Sequence, residues 1–170
     1  MRGREDRARP GGRSRAPLGR GRLALASALL LLAAAGDPLE LETLSGEPVR
    51  IALDAEEAAL VVHFWAVWCV ECARELPALD RAARRCPGHG VEVVTVNVGD
   101  DPGAISRFLR ERPLRLPVLR DPQGDVWRRV VGRGLPANLV VTREGRRTEL
   151  GPRDAPGWEG LLADLGCTPD

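Results

Sequence analysis

Apolar and polar positions in the middle of the chain follow the patterns of β-strands. Residues 59–65 and 91–98 are mostly apolar runs, which are typical of strands covered on both faces. Before them, residues 39–44 alternate leucine with polar residues, and the alternation resumes at 49–53 after Ser45-Gly46, which predicts a hairpin. Shorter strands are predicted at residues 117–119, 137–142 and 147–150, the last two joined by a hairpin turn at 143–146.

Helical spacing of apolar residues predicts helices between these strands. In residues 69–85, apolar side chains recur at that spacing, and the two closing arginines suit the negative end of the helix dipole. Further helices are predicted from Pro102 through Leu109 and at residues 158–165, and residues 126–131 form a short amphipathic segment. Strands that alternate with helices and end in a hairpin and a helix predict an α/β domain. We expect a mixed central sheet flanked by helices, with an N-terminal β-hairpin.

The start of the chain has the composition of a targeting segment. The first 22 residues carry eight arginines, and residues 23–35 then carry no charge and end in three alanines. This order predicts a secretory signal peptide at residues 1–35, cleaved after Ala35, which leaves residues 36–170 as one domain. A helix of that apolar length reaches about 20 Å, less than the ~30 Å of a hydrocarbon core. The alternative is an uncleaved signal anchor, which would be the chain's only contact with a membrane.

The formal charge of the whole chain, +1, hides an uneven distribution. Residues 36–170 keep 17 of the 25 basic residues and 22 of the 24 acidic residues, so the domain carries −5. We therefore expect no nucleic-acid partner, and the arginine-rich start fits an export signal better than a nucleic-acid-binding arm. An exported domain lies in an oxidising compartment, taken here as a bacterial periplasm or cell envelope, where cysteines can pair.

Two of the four cysteines are closely spaced, in Cys69-Val70-Glu71-Cys72, where a buried strand becomes a helix. Residues three apart share a helix face, so the two sulfurs can meet, and the helix start stabilises a thiolate on Cys69. Cys69 would attack the disulfide of a protein substrate, and Cys72 would resolve the mixed disulfide. The pattern predicts a thiol–disulfide oxidoreductase whose redox group is this cysteine pair, with no other cofactor and no metal.

The same cysteine spacing also occurs in haem and metal sites. Haem attachment needs a histidine after the second cysteine, where this chain has Ala73. Zinc would need further ligands, for which Cys86 and His89 are candidates, but a strand-to-helix dithiol in an exported domain favours redox chemistry. A non-catalytic binding module and a metal chaperone are the alternatives. A peroxidase is disfavoured because residues 65–68 lack the threonine or serine that a peroxidase loop places before its cysteine.

Residues 61–77 contain the pattern Phe-Trp-Ala-x-Trp-Cys-x-x-Cys-x-x-Glu-x-Pro. This segment resembles the active-site segment of thioredoxin-like proteins, most of all the TlpA/ResA type of exported thiol–disulfide oxidoreductase. Residues 134–141 are similar to the family's Gly-x-Pro segment, and the similarity extends over nearly all of residues 39–165. The resemblance implies a thioredoxin-like fold and the reduction of protein disulfides, with cytochrome c maturation as one setting. It also implies an upstream electron donor, which we expect to be a membrane thiol protein.

The resemblance also assigns roles to residues around the dithiol. Pro136 corresponds to the family's cis-proline, which faces the dithiol and leaves the Leu135 backbone to pair with an extended substrate. Trp65 would pack against the dithiol and exclude water, and Trp68 would offer an exposed apolar surface to substrate. Glu75 matches an acidic residue that tunes the thiols and could relay a proton to the resolving cysteine. The alternative for Glu75 is a solvated glutamate on the helix surface.

Two positions depart from the family pattern. His63 stands where thioredoxins carry a buried acid and many TlpA-type proteins an asparagine. It is a candidate proton relay near neutral pH, or a neutral, hydrogen-bonded core residue. Glu71 stands between the cysteines in a dipeptide that lacks the family's common proline, and its negative charge favours the disulfide over a Cys69 thiolate. We therefore predict a reductant.

The remaining cysteines, Cys86 and Cys167, follow the first and the last of the predicted helices. In the arrangement that the resemblance implies, these two helices cover one face of the sheet. Both cysteines would then lie at the end of the domain away from the dithiol. A structural Cys86–Cys167 disulfide is one prediction, and two free thiols are the alternative.

Overall fold

One mixed sheet of seven strands forms the centre of the computed structural model, which describes residues 37–52, 58–88 and 90–167. The strands are β1 (Leu39–Glu42), β2 (Pro48–Ile51), β3 (Ala59–Trp65), β4 (Val91–Val98), β5 (Val118–Asp121), β6 (Ala137–Thr142) and β7 (Gly145–Leu150). Their order across the sheet is β2-β1-β5-β4-β3-β6-β7. The long apolar strands therefore lie near the middle, and the short or polar strands lie at the two edges.

The three parallel strands β3, β4 and β5 decide where the site lies. β3 pairs in parallel with β4, and β4 with β5, so their carboxyl ends meet at one edge of the sheet. β6 runs antiparallel to β3, and β7 runs antiparallel to β6. On the other side, the β1–β2 hairpin joins the sheet through β5. β3 is buried along its whole length, as a strand covered on both faces must be.

Four helices pack on the described part of the sheet. They are α1 (Val70–Ala83), α2 (Pro102–Glu111), α3 (Asp125–Val130) and α4 (Ala155–Asp164). Aspartates cap two of them. Asp101 accepts a hydrogen bond from the Ala104 backbone N–H at 3.0 Å, and Asp154 accepts one from the Gly157 N–H at 2.9 Å. These contacts satisfy N–H groups that the first turn of a helix leaves without a backbone partner.

Alternate residues of β3 contribute to two separate apolar layers. Val61 packs in the layer formed by α1 and α4, whereas Val62 and Phe64 belong to the opposite layer, which includes α3. Side chains two residues apart on a strand point to the same face. His63 therefore shares the face of Val61 and lies under α1 and α4.

The α/β class, the mixed sheet flanked by helices and the N-terminal hairpin predicted from the sequence are confirmed. Residues 59–65, 91–98 and 137–142 form strands with the predicted bounds. Differences occur at element ends. β1 stops at Glu42, and α4 begins at Ala155 because Asp154 caps it, which the apolar pattern does not reveal.

The predicted leader, residues 1–35, lies outside the described residues, so its cleavage and the domain boundary at residue 36 stay predictions. Within the described ranges, no helix combines the length and the apolar character needed to cross a membrane.

Candidate active site

Cys69 and Cys72 are joined by a disulfide at the point where β3 gives way to α1. Their Cα atoms lie 5.2 Å apart. Cys69 is the N-cap of α1, and the Cys72 backbone N–H donates a hydrogen bond to Cys69 Sγ at 3.2 Å. Cys69 keeps 6% of its surface exposed and Cys72 keeps none, so Cys69 is the more accessible of the two cysteines. In the reduced protein, the same N–H group and the helix dipole would stabilise a Cys69 thiolate.

A carboxylate that was not predicted from the sequence holds the loop before Cys69. Asp100 Oδ2 accepts hydrogen bonds from the Val67 backbone N–H at 2.7 Å and from the Asn97 side-chain amide at 2.8 Å. Asp100 thereby fixes the backbone two residues before the reactive cysteine. Its sequence signal is ambiguous, because an Asp-Asp pair after a strand equally predicts a cap for the next helix, the role that Asp101 performs.

Glu75 is buried beside His63, so the alternative of a solvated glutamate on the helix surface is wrong. Only 3% of Glu75 is exposed, and His63 is fully buried. Glu75 Oε1 lies 3.4 Å from His63 Nε2, and Glu75 Oε2 accepts a hydrogen bond from the Arg153 backbone N–H at 2.6 Å. Because Glu75 follows Cys72 by three residues, the two side chains share one face of α1.

Burial favours the uncharged form of both of these groups. Desolvation raises the pKa of Glu75 to about 7, although the Arg153 N–H and guanidinium act in the opposite direction. Desolvation lowers the pKa of His63 to about 4, partly offset by its hydrogen bond with Asn138. Glu75 can therefore take up or release a proton near neutral pH, whereas His63 is neutral there.

Asn138 is a second site residue that was not predicted from the sequence. It is fully buried on β6, directly opposite His63 in the antiparallel register, and its Oδ1 lies 2.9 Å from His63 Nδ1. A lone amide in an apolar strand signals that a polar partner exists, since buried polar groups are almost always hydrogen-bonded. The pairing of β3 with β6 is needed to identify that partner as His63.

The loop before β6 contains a cis peptide bond between Leu135 and Pro136. Leu135 packs against the apolar cluster that contains both cysteines. The loop is tied at both ends, because the Trp127 indole N–H donates to Gly134 O at 3.2 Å and the Gly151 N–H donates to Pro136 O at 3.1 Å. Pro136 thus has the cis geometry that the resemblance implied, and the pairing of Leu135 with substrate stays a prediction.

The two tryptophans near the dithiol occupy contrasting environments. Trp65 is fully buried in the cluster of the two cysteines, with its ring centroid 4.9 Å from that of Phe108. Trp68 is 70% exposed, and Val70, on the other side of Cys69, is 63% exposed. Exposed apolar side chains that flank a reactive sulfur form a surface suited to a protein partner.

Glu71 carries less uncompensated charge than the sequence indicated. Its Oε1 lies 2.6 Å from the Arg74 guanidinium, one turn along α1, and both side chains are solvent-exposed. The arginine offsets part of the negative field at Cys69. The effect of Glu71 on a Cys69 thiolate is therefore smaller than that of an unpaired carboxylate.

Cys86 and Cys167 form a second disulfide, which links the end of α1 with the segment after α4. Their Cα atoms lie 5.3 Å apart and both residues are buried. Cys86 is therefore not a free thiol in the described protein, and His89, the other candidate zinc ligand, lies outside the described residues. Across the described ranges, no three His, Cys, Asp or Glu side chains are grouped to hold a metal ion.

The sequence profile of the AhpC/TSA family matches residues 34–146, a range that includes Cys69, Cys72 and Pro136. Among curated proteins, the chain is similar to the thiol-disulfide oxidoreductase ResA of Bacillus subtilis, with 27% identity over 106 residues. That match covers 62% of this chain and 59% of ResA, less than two thirds of the relative. Similarity to the sporulation thiol-disulfide oxidoreductase A of the same species is 25% over 120 residues, or 68% of this chain and 72% of the relative.

Among solved structures, the chain is similar to a secreted disulfide oxidoreductase of Mycobacterium tuberculosis that is described as homologous to E. coli DsbE. The TM-score is 0.61 at 26% identity, and the match covers 76% of this chain and 96% of that chain. The thioredoxin-like fold that the sequence predicted is confirmed.

Proposed function

Because the chain belongs to the AhpC/TSA family and resembles thiol–disulfide oxidoreductases, we propose that it is an exported oxidoreductase that reduces protein disulfides. The observation that carries this proposal is the Cys69–Cys72 disulfide at the N-terminus of α1, in which Cys69 is slightly exposed and Cys72 is fully buried. A reachable sulfur can attack a substrate. A buried sulfur beside it can resolve the product before another thiol intervenes.

In the proposed reaction, the Cys69 thiolate attacks one sulfur of the substrate disulfide. A mixed disulfide forms, and the other substrate sulfur leaves as a thiolate. Cys72 then gives its proton to Glu75 and attacks Cys69 Sγ, so the Cys69–Cys72 bond forms as the bond between Cys69 and the substrate breaks. The substrate gains two electrons and the protein loses two. A donor dithiol must return these electrons, and we propose a membrane thiol protein for this task.

The proposed substrate is a protein segment. Trp68 and Val70 offer apolar surface on both sides of Cys69. The proposed pairing of an extended chain is with the backbone of Leu135, whose side chain packs against the cluster of the two cysteines. Export is supported by the leader composition and by the relative described as secreted. Cytochrome c maturation is the setting that the family resemblance implies, so an oxidised apocytochrome peptide is a natural first substrate to try.

The direction of electron flow is proposed to be reducing. Glu71 places a carboxylate in the first turn of α1, where it opposes the stabilisation of a thiolate by the helix dipole, even with Arg74 beside it. A thiolate that is less stabilised makes the dithiol a weaker oxidant.

The decisive experiment combines the reduction potential of the Cys69–Cys72 pair with insulin reduction by wild type and by Cys69→Ser. We expect a potential well below about −150 mV, because strong disulfide oxidants have potentials above that value. We also expect the variant to lose insulin reduction. The matched control is the double variant Cys86→Ser/Cys167→Ser, which removes the other disulfide and should keep its activity. A potential above about −150 mV would overturn the reducing direction, and activity independent of Cys69 would overturn the function.

A further inference from the structure

Six buried polar side-chain atoms of the described residues have no hydrogen bond of ordinary geometry, and three of them are His63 Nε2, Glu75 Oε1 and Asn138 Nδ2. The first two face each other at 3.4 Å. A carboxylate oxygen and an unprotonated ring nitrogen are both acceptors, so such a contact in a buried place is repulsive unless a proton lies between them. The position of that proton follows from the neighbouring atoms.

The Asn138 side-chain oxygen can only accept, so its 2.9 Å contact places a proton on His63 Nδ1. In a neutral imidazole the other nitrogen, Nε2, then carries none and can only accept. Glu75 Oε1 must therefore donate, which makes Glu75 a neutral carboxylic acid. Its other oxygen, Oε2, stays available as the acceptor that the Arg153 backbone N–H uses at 2.6 Å.

We propose that Asn138, acting through His63, holds a proton on Glu75 Oε1 while the Cys69–Cys72 disulfide is intact. His63 and Asn138 are positioning residues in this scheme, because they act on the sulfurs only through Glu75. The bare Nε2 atom hydrogen-bonds to the protonated form of Glu75 and not to the ionised form, so it strengthens Glu75 as a proton acceptor.

The use of this stored proton rests on the proposed function. When Cys72 resolves the mixed disulfide, its thiol proton moves to the Glu75 carboxylate, and the oxidised protein is left with Glu75 neutral. When a donor dithiol later reduces the Cys69–Cys72 bond, Glu75 returns the proton to the Cys72 sulfur. One proton thus moves back and forth inside the protein and need not cross the buried layer from solvent.

The charges that face the pair act in opposite directions, and desolvation decides the protonation state of Glu75. On α1, Glu71 opposes ionisation of Glu75. Before α4, the Arg153 guanidinium favours ionisation, but it is also paired with Glu149 and lies over the Trp158 ring. On α4, Trp158 packs edge-on against His63, which keeps water from the ring. Desolvation is the largest of these effects, and the pKa of Glu75 is raised to about 7.

The first test is nitrogen-15 NMR of the histidine rings in the oxidised protein, at about pH 6, where Glu75 is mostly protonated. Signals of His63 are identified by their loss in His63→Asn. We expect a protonated Nδ1 and an unprotonated Nε2. A proton on Nε2, alone or together with one on Nδ1, would overturn the proposal, because Nε2 would then donate to an ionised Glu75.

The second test follows the carboxyl carbon of Glu75 as pH changes, in wild type and in Asn138→Ala. Loss of the Asn138 oxygen frees His63 to carry its proton on Nε2 and to donate to the carboxylate, so the Glu75 midpoint should fall by about one pH unit or more. An unchanged midpoint together with an unchanged tautomer would contradict the role of Asn138. Glu75→Gln is the matched control, since its amide can donate to Nε2 and keep the tautomer while no proton can be transferred.

Both tests use the oxidised protein without a substrate, so they are independent of the proposed function. Failure to reduce insulin, with the predicted tautomer present, would overturn the function and leave the proton site standing. Insulin reduction without the predicted tautomer would support the reductase function and would show that Asn138 and His63 do not control the protonation of Glu75.

Discussion

His63 and Glu75 should change the stability of the folded protein in opposite directions as pH changes. Folding raises the pKa of Glu75 from 4.5 to about 7, so its contribution is fully present below 4.5 and is lost as pH rises through 7. Folding lowers the pKa of His63 from 6.5 to about 4, so its contribution is present above 6.5 and is lost as pH falls towards 4. Between pH 4.5 and pH 6.5, the two groups therefore change the free energy of unfolding in opposite directions as pH rises.

Substituting His63 or Glu75 should reveal how the other residue alone changes the free energy of unfolding with pH. In Glu75→Gln, the free energy of unfolding should rise with pH between about 4 and 6.5, more steeply than in wild type, because only His63 still titrates. In His63→Asn, it should fall between about 4.5 and 7, because only Glu75 does. Urea unfolding followed by tryptophan fluorescence at a series of pH values measures both. Wild-type pH dependence in both variants would show that the pair does not titrate as described.

Asp100 should control how fast the dithiol reacts. Asp100→Ala removes the acceptor of the Val67 N–H and loosens the loop before Cys69, so the rate of insulin reduction should fall by about tenfold, the equivalent of ~1.4 kcal/mol. Asp100→Asn keeps an acceptor oxygen and should retain most of the rate.

The neighbouring variant Asp101→Ala is the control for Asp100, because it removes the cap of α2 and not the bond to the active-site loop. It should lower stability by ~1 kcal/mol with little effect on rate. Equal slowing by Asp101→Ala and Asp100→Ala would show that the loop bond has no special role.

Site residues that belong to a short local motif could be predicted from the sequence. Site residues whose role depends on contacts between distant parts of the chain could not. The Cys69–Cys72 pair and its place at a helix start follow from four consecutive residues and the apolar strand before them. Asn138 matters only because β6 pairs with β3, which joins positions 75 residues apart. The sequence around Glu75 does not distinguish a solvated glutamate from a buried one, because its burial is decided by the packing of α1 against α4.

At the scale of elements, the bounds of apolar strands were predicted correctly, and the bounds of a polar strand were predicted less well. β3, β4 and β6 are mostly buried, so their apolar runs set their bounds. β7 is an edge strand with mostly exposed side chains, and only its last four residues were predicted. Its pairing with β6 places Leu150 opposite Ala137, at the end of the sheet where the cis-proline loop lies.

Leu150 should help to bind a protein substrate. It is 47% exposed, and the next residue, Gly151, is hydrogen-bonded to Pro136 O, so an extended segment that pairs along Leu135 would reach it. Leu150→Ser should lower kcat/KM for insulin by about fivefold, the equivalent of ~1 kcal/mol of apolar contact, and leave reduction of a small aromatic disulfide unchanged. Thr148→Ala, on the same face of β7 but further from the loop, is the control. Equal losses with both disulfides would argue against a substrate contact.

At the scale of the whole molecule, the two disulfides lie at opposite ends of α1 and have different consequences for the chain. Cys69–Cys72 joins residues three apart and closes almost no loop. Cys86–Cys167 joins residues 81 apart and ties the end of α1 to the segment after α4. α1 carries Glu75, and α4 carries Trp158, which packs against His63. Constraining a long loop removes far more conformational freedom from the unfolded chain than constraining a short one.

The double variant Cys86→Ser/Cys167→Ser should therefore lower the free energy of unfolding by ~2–4 kcal/mol, whereas Cys69→Ser/Cys72→Ser should change it much less. Denaturant unfolding of the two variants and of oxidised wild type measures the difference. The Cys69–Cys72 reduction potential should be the same in wild type and in Cys86→Ser/Cys167→Ser, because the long-range disulfide lies at the other end of α1 from the active site. Equal destabilisation by the two double variants would contradict a loop-length origin. A shifted potential would instead show that the packing of α4 on α1 sets the chemistry at Cys69.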